Sequence, residues 1–551
     1  MIEFSDALAD THTLEIIDMR LALLIVNGLL PYYRAKKNAD VKKYIHCLFR
    51  RLALSYNVAQ NFDISELVGD LTEEHRNAVI ACADEGLPLI ENAKVFASLP
   101  PESRQELVTI QLFRATGYER SYYSQKLVRA QLSSYEKCLA LFSRPDIQKA
   151  APEVDWDFQI FSVYSYISAV QEFFFYEDVP HDILDTLHDA VYKALDYVQT
   201  HPDNYRVSKE SLDASLAAIR FYRGDVSFKD TIEGYIRWNK QGDPTQYDRV
   251  SMDANLLSLV MPLWMFRQHP DEVKNYRDFI LAAQKSSFDY IRNARDQGTY
   301  DTMQRYTGYI IDDYVELEGS ISFKDYYQNI LITTQPALYV HCQMVGRIAA
   351  LILDEMVKVN PETPIGVWGM ETEEEVRASQ EKLRDFLLEG CLFHDIGKFF
   401  LLGTINQYSR FLFPDEFLLV QRHSVMGSRL LKKHASTEKF ANLALFHHRW
   451  YDEKGGYPSN LSFFGDPDSV LYYIVTCADC LDAATDSIGR AYSTGKDFAL
   501  MLEDMRSNAG RMFAPEVVEL FDQPELQEKT ETLLTETREA LYRDVFKRKG
   551  L

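Results

Sequence analysis

The chain has 551 residues, of which 46% are hydrophobic and 13% aromatic, so it is long enough to bury several cores and is not an intrinsically disordered protein. Its formal net charge of -23 excludes a general binder of long nucleic acid, because such binding needs a basic face.

The cysteines and the N-terminal residues indicate in which cellular compartment the protein is found. The seven cysteines are scattered, and the close pair Cys477 and Cys480 has no second pair beside it, which favours structural thiols in a reducing cytosol. No secretory signal is visible, and the apolar run 21–26 is too short to span a membrane. We therefore expect a cytoplasmic protein that does not bind membranes.

Residues 1–330 show helical periodicity. Apolar residues recur every three or four positions in four stretches, 15–30, 41–59, 182–198 and 209–222. Prolines are predicted to separate such helices, and the segments 212–218 and 252–257 share a rhythm. We interpret this region as a tetratricopeptide-like helical array, with the aromatic run 173–176 in its core. Such arrays expose concave surfaces, so a protein partner or self-association is expected.

Composition changes near residue 330, and a second domain is predicted over 331–551. A helix is expected over 336–359, and an acidic stretch at 371–375 favours the start of another. That helix leads to His394 and Asp395, a polar pair among apolar residues. Burying such a pair is unfavourable unless something, such as a metal ion, neutralises it. Taken alone, the pair is equally explained as a partly exposed helix end.

Further histidines and an aspartate decide between these explanations. The candidate metal ligands, each beside apolar residues on a helical pattern, are His341, His394, Asp395, His423, His447, His448 and Asp479. A helical bundle aims such side chains at one point, and this donor set suits two transition metals rather than Mg²⁺ or Ca²⁺. A single buried histidine is more often a core residue, but seven such residues argue against that. Lys398, one turn after His394, is expected to place its ammonium beside an anion at the metals.

The segment 335–525 resembles the HD-GYP branch of the HD metal-dependent phosphohydrolases. The resemblance rests on His394-Asp395 with Lys398, His447-His448, Gly456-Tyr457-Pro458, Asp479, and Arg490-Ala491-Tyr492 in place of an Arg-Pro-Tyr. It implies an all-α fold in which the helical array precedes an HD-type helical bundle with a metal centre. It also implies an enzyme that hydrolyses a cyclic dinucleotide, with cyclic di-GMP as the first choice.

The resemblance carries roles over to individual residues. It assigns metal ligation to all seven candidates, catalysis to Asp395 and Lys398, and substrate binding to Tyr457, Arg490 and Tyr492. Family members with three metals have a glutamate four residues before the first histidine, where this chain has Ala337. Two divalent metals are therefore expected, with iron or manganese ahead of zinc, nickel or magnesium.

The hypothetical mechanism is hydrolysis by a hydroxide bridging two metals that share Asp395, while Lys398 offsets charge or protonates the leaving oxygen. Arg449 stands where the family has glutamate, the following loop is one residue longer, and Arg490 lies two residues later than usual. These departures bear on the nucleotide more than on the metals. Alternatives are a phosphohydrolase of another nucleotide and a non-catalytic metal-containing signalling or scaffold protein. The Gly-Tyr-Pro loop is equally explained as a structural turn.

Overall fold

The computed structural model describes residues 1–9, 16–62, 66–120, 124–170, 179–202, 207, 209–239, 262, 265–266, 269–293, 317, 319, 321–401, 412–489 and 495–548. No strand forms among these residues; isolated bridges join Arg449 to Gly456 and Ala509 to Phe513. The all-α fold predicted from the sequence is confirmed. The chain separates into two compact units, Met1–Ala283 and Gln284–Leu551.

The first unit consists of helices joined by turns. Its helices are α1 (Ile2–Ala9), α2 (Ile16–Ala35), α3 (Val41–Phe62), α4 (Gly69–Glu91), α5 (Ala93–Ser98), α6 (Pro101–Phe113), α7 (Gln125–Phe142), α8 (Pro145–Ala150), α9 (Trp156–Ala169), α10 (His181–Thr200), α11 (Lys209–Tyr222) and α12 (Phe228–Asn239), with 3-10 turns at Glu66–Val68, Arg114–Tyr118 and Pro270–Tyr276. α13 (Arg277–Asn293) crosses the division between the units. Helices adjacent in sequence pack together, as α2 does with α3, α3 with α4 and α10 with α11.

The four predicted amphipathic stretches coincide with α2, α3, α10 and α11. The expectation that proline separates helices is wrong at Pro31 and Pro88, which lie inside α2 and α4. Each proline removes one N–H donor from its helix, and tertiary packing of the flanking turns stabilises the helix despite that loss. The segments 173–176 and 252–257 lie outside the described residues, and the tetratricopeptide assignment stays a prediction.

The second unit contains longer central helices and short peripheral ones. Its helices are α14 (Phe323–Thr334), α15 (Pro336–Val359), α16 (Glu373–Phe393), α17 (Pro414–Gln421), α18 (His423–Leu431), α19 (Ala441–Phe446), α20 (Ser469–Thr485), α21 (Phe498–Ser507), α22 (Pro515–Val518), α23 (Pro524–Thr532) and α24 (Arg538–Arg548). Shorter elements are 3-10 turns at Val367–Gly369, Ile396–Leu401, Glu438–Phe440 and Glu519–Asp522, and a π-helical turn at Leu533–Thr537.

Helix α15 is the centre of this unit. It packs against α16, α20 and α24, while α18 packs against α19 and the 3-10 turn Ile396–Leu401. α16 begins at a capping box, in which the Thr372 hydroxyl accepts from the N–H of Glu375 and the Glu375 carboxylate accepts from the N–H of Thr372. This arrangement brings the ends of α16 and α19 and the middle of α20 to one interior region.

Helix α15 is, among the described helices, the one that is long and apolar enough to cross a membrane. In its most apolar window, 67% of the residues are buried inside the protein, as in the core helix of a soluble protein. A cytoplasmic location stays a prediction. So does the division into an interaction array and a catalytic domain at residue 330, a position inside α14.

Candidate metal centre

His394 and Asp395 lie where α16 ends and the 3-10 turn Ile396–Leu401 begins. Both side chains are fully buried. The Nδ1–H of His394 donates to the carbonyl oxygen of Cys391 at 2.6 Å. That bond fixes the proton on Nδ1 and leaves Nε2 with a free lone pair. Nε2 lies 3.5 Å from Asp395 Oδ2. The predicted pair therefore presents two ligand atoms to the interior.

Gly397 allows this turn to cross α18 at close range. A Cβ at this position would lie 1.9 Å from the carbonyl oxygen of His423 and 2.7 Å from the backbone nitrogen of Gly427. Only a residue without a side chain permits that approach. The glycine of the motif thus brings His423 next to Asp395.

The Nδ1 atoms of His423 and His447 are held in the same way as that of His394. Their Nδ1–H groups donate to the carbonyl oxygens of Val420 at 2.6 Å and Ala444 at 2.9 Å. Their Nε2 atoms lie 3.1 Å and 3.6 Å from Asp395 Oδ1 and 3.2 Å from each other. Two imidazole lone pairs therefore converge on one carboxylate oxygen.

His341 and Asp479 complete the opposite side of the cluster. His341 Nε2 lies 3.5 Å from Asp395 Oδ2 and 3.1 Å from Asp479 Oδ1, and His448 Nδ1 lies 3.6 Å from Asp479 Oδ2. All seven predicted ligands, which the sequence spreads over 139 residues from 341 to 479, thus meet at one place.

The seven side chains form overlapping groups that share Asp395. One group is Asp395, His423, His447 and His448, and the other is His341, His394 and Asp395; within each group the ligand atoms lie within 4.8 Å of one another. Three of these atoms are buried without a hydrogen-bond partner, namely His341 Nε2, His394 Nε2 and Asp395 Oδ1. Buried polar atoms are normally paired. This cluster could therefore hold metal, and its donor set fits divalent transition metals.

The protonation states agree with metal ligation at most positions. Burial lowers the pKa of His394 to about 3, and burial also lowers the pKa of His423 and of His448. Burial acts to raise the pKa of Asp395, but the Lys398 ammonium and the imidazoles outweigh it and hold that pKa well below its usual range. Neutral imidazole and ionised carboxylate are the forms that bind metal.

His341 differs from the other histidines. Burial acts to lower its pKa, but the neighbouring carboxylates of Asp395, Asp479 and Asp482 outweigh this and raise the pKa well above its usual range. Without metal, these three carboxylates hold a proton on the imidazole. Metal binding at His341 would release that proton.

Lys398 lies at the edge of the cluster. Its Nζ donates to Asp395 Oδ2 at 2.5 Å, and its side chain is 21% exposed, whereas Asp395 is fully buried. The sequence predicted an ammonium beside an anion at the metals. The structure places it on the shared carboxylate, at the partly exposed edge of the cluster.

The Gly-Tyr-Pro loop is both a tight turn and a wall of the site. A Cβ on Gly455 or on Gly456 would lie 2.1 Å from Trp450 or from the His448 carbonyl oxygen, respectively, and Gly456 has φ +73°. The Tyr457 ring lies against the rings of His448 and His423, with centroids 4.5 Å and 5.9 Å apart. The tight turn is a feature of the structure, and the contact of Tyr457 with substrate stays a prediction.

Arg449 braces this loop from inside. It is 6% exposed, and its guanidinium donates to the carbonyl oxygens of Gly455 at 2.9 Å and Glu453 at 2.5 Å. This departure from the family pattern therefore shapes the longer loop that carries Tyr457. Arg490 and Tyr492, the other predicted substrate contacts, lie outside the described residues.

Two buried residues behind the ligands escaped the sequence reasoning. Asp482 Oδ2 accepts from Nδ1–H of His341 at 2.7 Å, and Arg538 donates to the other oxygen of Asp482 at 2.8 Å. Asp482 follows Asp479 by three residues on a helix, and this spacing on one face was an available signal. No comparable signal pointed to Arg538.

Comparisons with known proteins agree with this geometry. Residues 338–484 match the model of the HD domain family. Over 130 residues the chain is 35% identical to a protein of Thermotoga maritima named cyclic di-GMP phosphodiesterase; the match covers 23% of this chain and 34% of that relative. The chain thus spans about a third of the length of this curated relative. Residues 338–484, which contain all seven predicted ligands, are therefore similar to the HD domain family.

Proposed function

We propose that this protein is a metal-dependent phosphodiesterase of the HD-GYP type that hydrolyses a cyclic dinucleotide, with cyclic di-GMP as the first choice. The observation that carries the proposal is the sharing of Asp395 by two groups of buried ligands. A carboxylate placed between two ligand groups is what a pair of metals on one phosphodiester requires. The similarity to a relative named cyclic di-GMP phosphodiesterase supports the choice of substrate.

The proposed cofactors are two divalent transition metals, iron or manganese, held by the seven ligands. When bound, they supply Lewis acidity and an activated water at neutral pH. The residues of the chain do the rest. Lys398 leaves Asp395 to neutralise charge on the phosphate or to protonate the leaving oxygen. Tyr457 closes one side of the site, and Arg490 and Tyr492 are assigned to the substrate.

Metal content and activity of the same sample test the proposal. The protein is purified anaerobically, its metals are identified and counted per chain, and it is assayed with Fe²⁺ or Mn²⁺ on a panel of cyclic and linear nucleotides. We expect two metals per chain and cleavage of cyclic di-GMP. Cleavage of another nucleotide instead would move the assignment to a different phosphohydrolase, and bound metal with no cleavage would indicate a sensor or scaffold.

Substitution of the shared carboxylate tests the assignment of the metal site most directly. Asp395→Ala is expected to bind no metal pair and to be inactive, because both ligand groups lose their common member. Asp385→Ala, which removes an exposed aspartate within α16, is the matched control. Wild-type metal content in the Asp395 variant would refute the site assignment.

A further inference from the structure

The nitrogen of His341 that points away from the cluster is held by a carboxylate rather than by a backbone carbonyl. Its Nδ1–H donates to Asp482 Oδ2 at 2.7 Å. His394, His423 and His447 instead donate to carbonyl oxygens of their own local turns. The orientation of His341 therefore depends on a side chain from another helix, α20.

That carboxylate is in turn held by the C-terminal helix. Arg538, the first residue of α24, donates through Nη2 to Asp482 Oδ1 at 2.8 Å, and both side chains are at most 5% exposed. The same guanidinium donates to the carbonyl oxygen of Thr485 at 2.9 Å and to its hydroxyl at 2.8 Å. The bonds to Thr485 hold the guanidinium in place, and the guanidinium in turn holds one oxygen of the Asp482 carboxylate.

A buried charge pair is weak evidence for stability, because desolvation opposes it and apolar packing serves the core at least as well. A structural role alone thus explains this pair poorly. A π-helical turn, Leu533–Thr537, directly precedes Arg538. Such a turn holds an extra residue and changes which residues of the following helix face its neighbours.

We propose that Arg538 is a positioning residue for the metal ligand His341 and acts through Asp482. The proposal rests on the proposed function, since it takes His341 to be a ligand. With one oxygen of Asp482 engaged by Arg538, the other faces His341 Nδ1, and this holds Nε2 towards Asp395 and Asp479. Carboxylates behind metal-bound histidines set the ring orientation in this way, and their loss weakens metal affinity.

Mn²⁺ titration of the full-length, metal-free protein against a competing chelator tests this. Arg538→Gln is expected to bind Mn²⁺ about 10–100-fold more weakly than wild type, as losses behind metal ligands do. Asp482→Asn is expected to weaken binding in the same range. The double variant is expected to bind Mn²⁺ no more weakly than the worse single variant, because both changes break the same chain of contacts from Arg538 through Asp482 to His341.

Tyr542→Phe is the matched control. Tyr542 lies one turn further along α24, is 4% exposed, and donates to Asp486 Oδ2 at 2.7 Å. Its loss removes a buried hydrogen bond from the same interface without touching Asp482. We expect lower thermal stability of the metal-free protein in this variant and unchanged Mn²⁺ affinity. Arg538→Lys, which retains charge but not the fork, is expected to lie between wild type and Arg538→Gln.

Each result has a defined meaning. Wild-type Mn²⁺ affinity in a folded Arg538→Gln or Arg538→Lys protein would overturn the proposal, as would an equal loss of affinity in Tyr542→Phe. If wild-type protein binds Mn²⁺ but cleaves no phosphodiester, the proposed function is wrong. The positioning role of Arg538 is then still decided by the Mn²⁺ affinities of the variants. A wild-type protein that binds no Mn²⁺ would overturn both.

Discussion

Asp395 is a buried carboxylate whose ionised form depends on the groups around it. It is fully buried, contacts the Lys398 ammonium, and has an oxygen without a hydrogen-bond partner among imidazole lone pairs. Burial opposes an ionised carboxylate, so the cations around it must compensate. A lysine at the exposed edge can be withdrawn when metal takes over that role.

Lys398→Ala separates the two roles of this lysine. We expect the variant to retain both metals, because Lys398 is not a ligand, and to lose about 100-fold or more in kcat, as removal of one preorganised donor does. Metal analysis and steady-state kinetics on the cleaved substrate measure both effects. Lys439→Ala removes a lysine that is 57% exposed and should change neither. Loss of metal in Lys398→Ala would instead make the residue structural.

Gly397→Ala tests the close crossing beside His423. A methyl group 1.9 Å from a carbonyl oxygen forces backbone movement, which typically costs about 1–3 kcal/mol. We expect a lower melting temperature and loss of metal binding, measured by thermal unfolding and metal analysis. Gly28→Ala, in α2 with nothing within 4 Å of its Cβ, should be neutral or stabilising. Normal metal content in the Gly397 variant would show that the crossing tolerates relaxation.

At the scale of elements, the sequence predicted what local periodicity encodes. The stretch 209–222 coincides with α11, and 182–198 lies within α10, because apolar spacing alone determines which face of a helix is buried. The ligand set was accessible for a related reason, since each ligand lies in a recognisable local pattern. The Asp482–Arg538 bond joins residues 56 positions apart and needs tertiary packing to become visible.

A histidine links helix α1 to α3 and α6 within the first unit. His46 on α3 lies 2.5 Å from Glu106 on α6 and 3.0 Å from Asp6 on α1. The hydrogen bond to Glu106 chiefly raises the pKa of His46, and that to Asp6 adds to it against burial. A raised folded pKa gives stability that is complete below the ordinary value near 6.5 and is lost as pH rises through the folded value.

His46→Gln is therefore expected to destabilise the first unit more at pH 5.5 than at pH 9. The difference at low pH should be about 1.5–3 kcal/mol, the size of a hydrogen bond to a charged group. Thermal unfolding of wild type and variant at both pH values measures it, and His188→Gln, whose ring is 3.8 Å from Asp189, serves as control. An effect that is independent of pH would show that His46 acts as a neutral packing residue.

At the scale of the whole molecule, the metal ligands fall in one compact unit, and most of the array predicted over 1–330 falls in the other. All seven ligands lie within Gln284–Leu551, and Met1–Ala283 contains a buried apolar core of its own. A ligand that binds only the folded form stabilises what it binds. Metal should therefore act on the unfolding of the second unit and leave that of the first unit unchanged.

Calorimetry of the full-length protein with and without Mn²⁺ tests this separation. We expect two transitions, of which one rises with metal. At a free concentration 100-fold above Kd the gain is about 2.7 kcal/mol, or roughly 5–10 °C for a unit of this size. His46→Gln at pH 5.5 identifies the other transition, because it should lower only that one. Metal-dependent shifts in both transitions would instead mean that the two units unfold together.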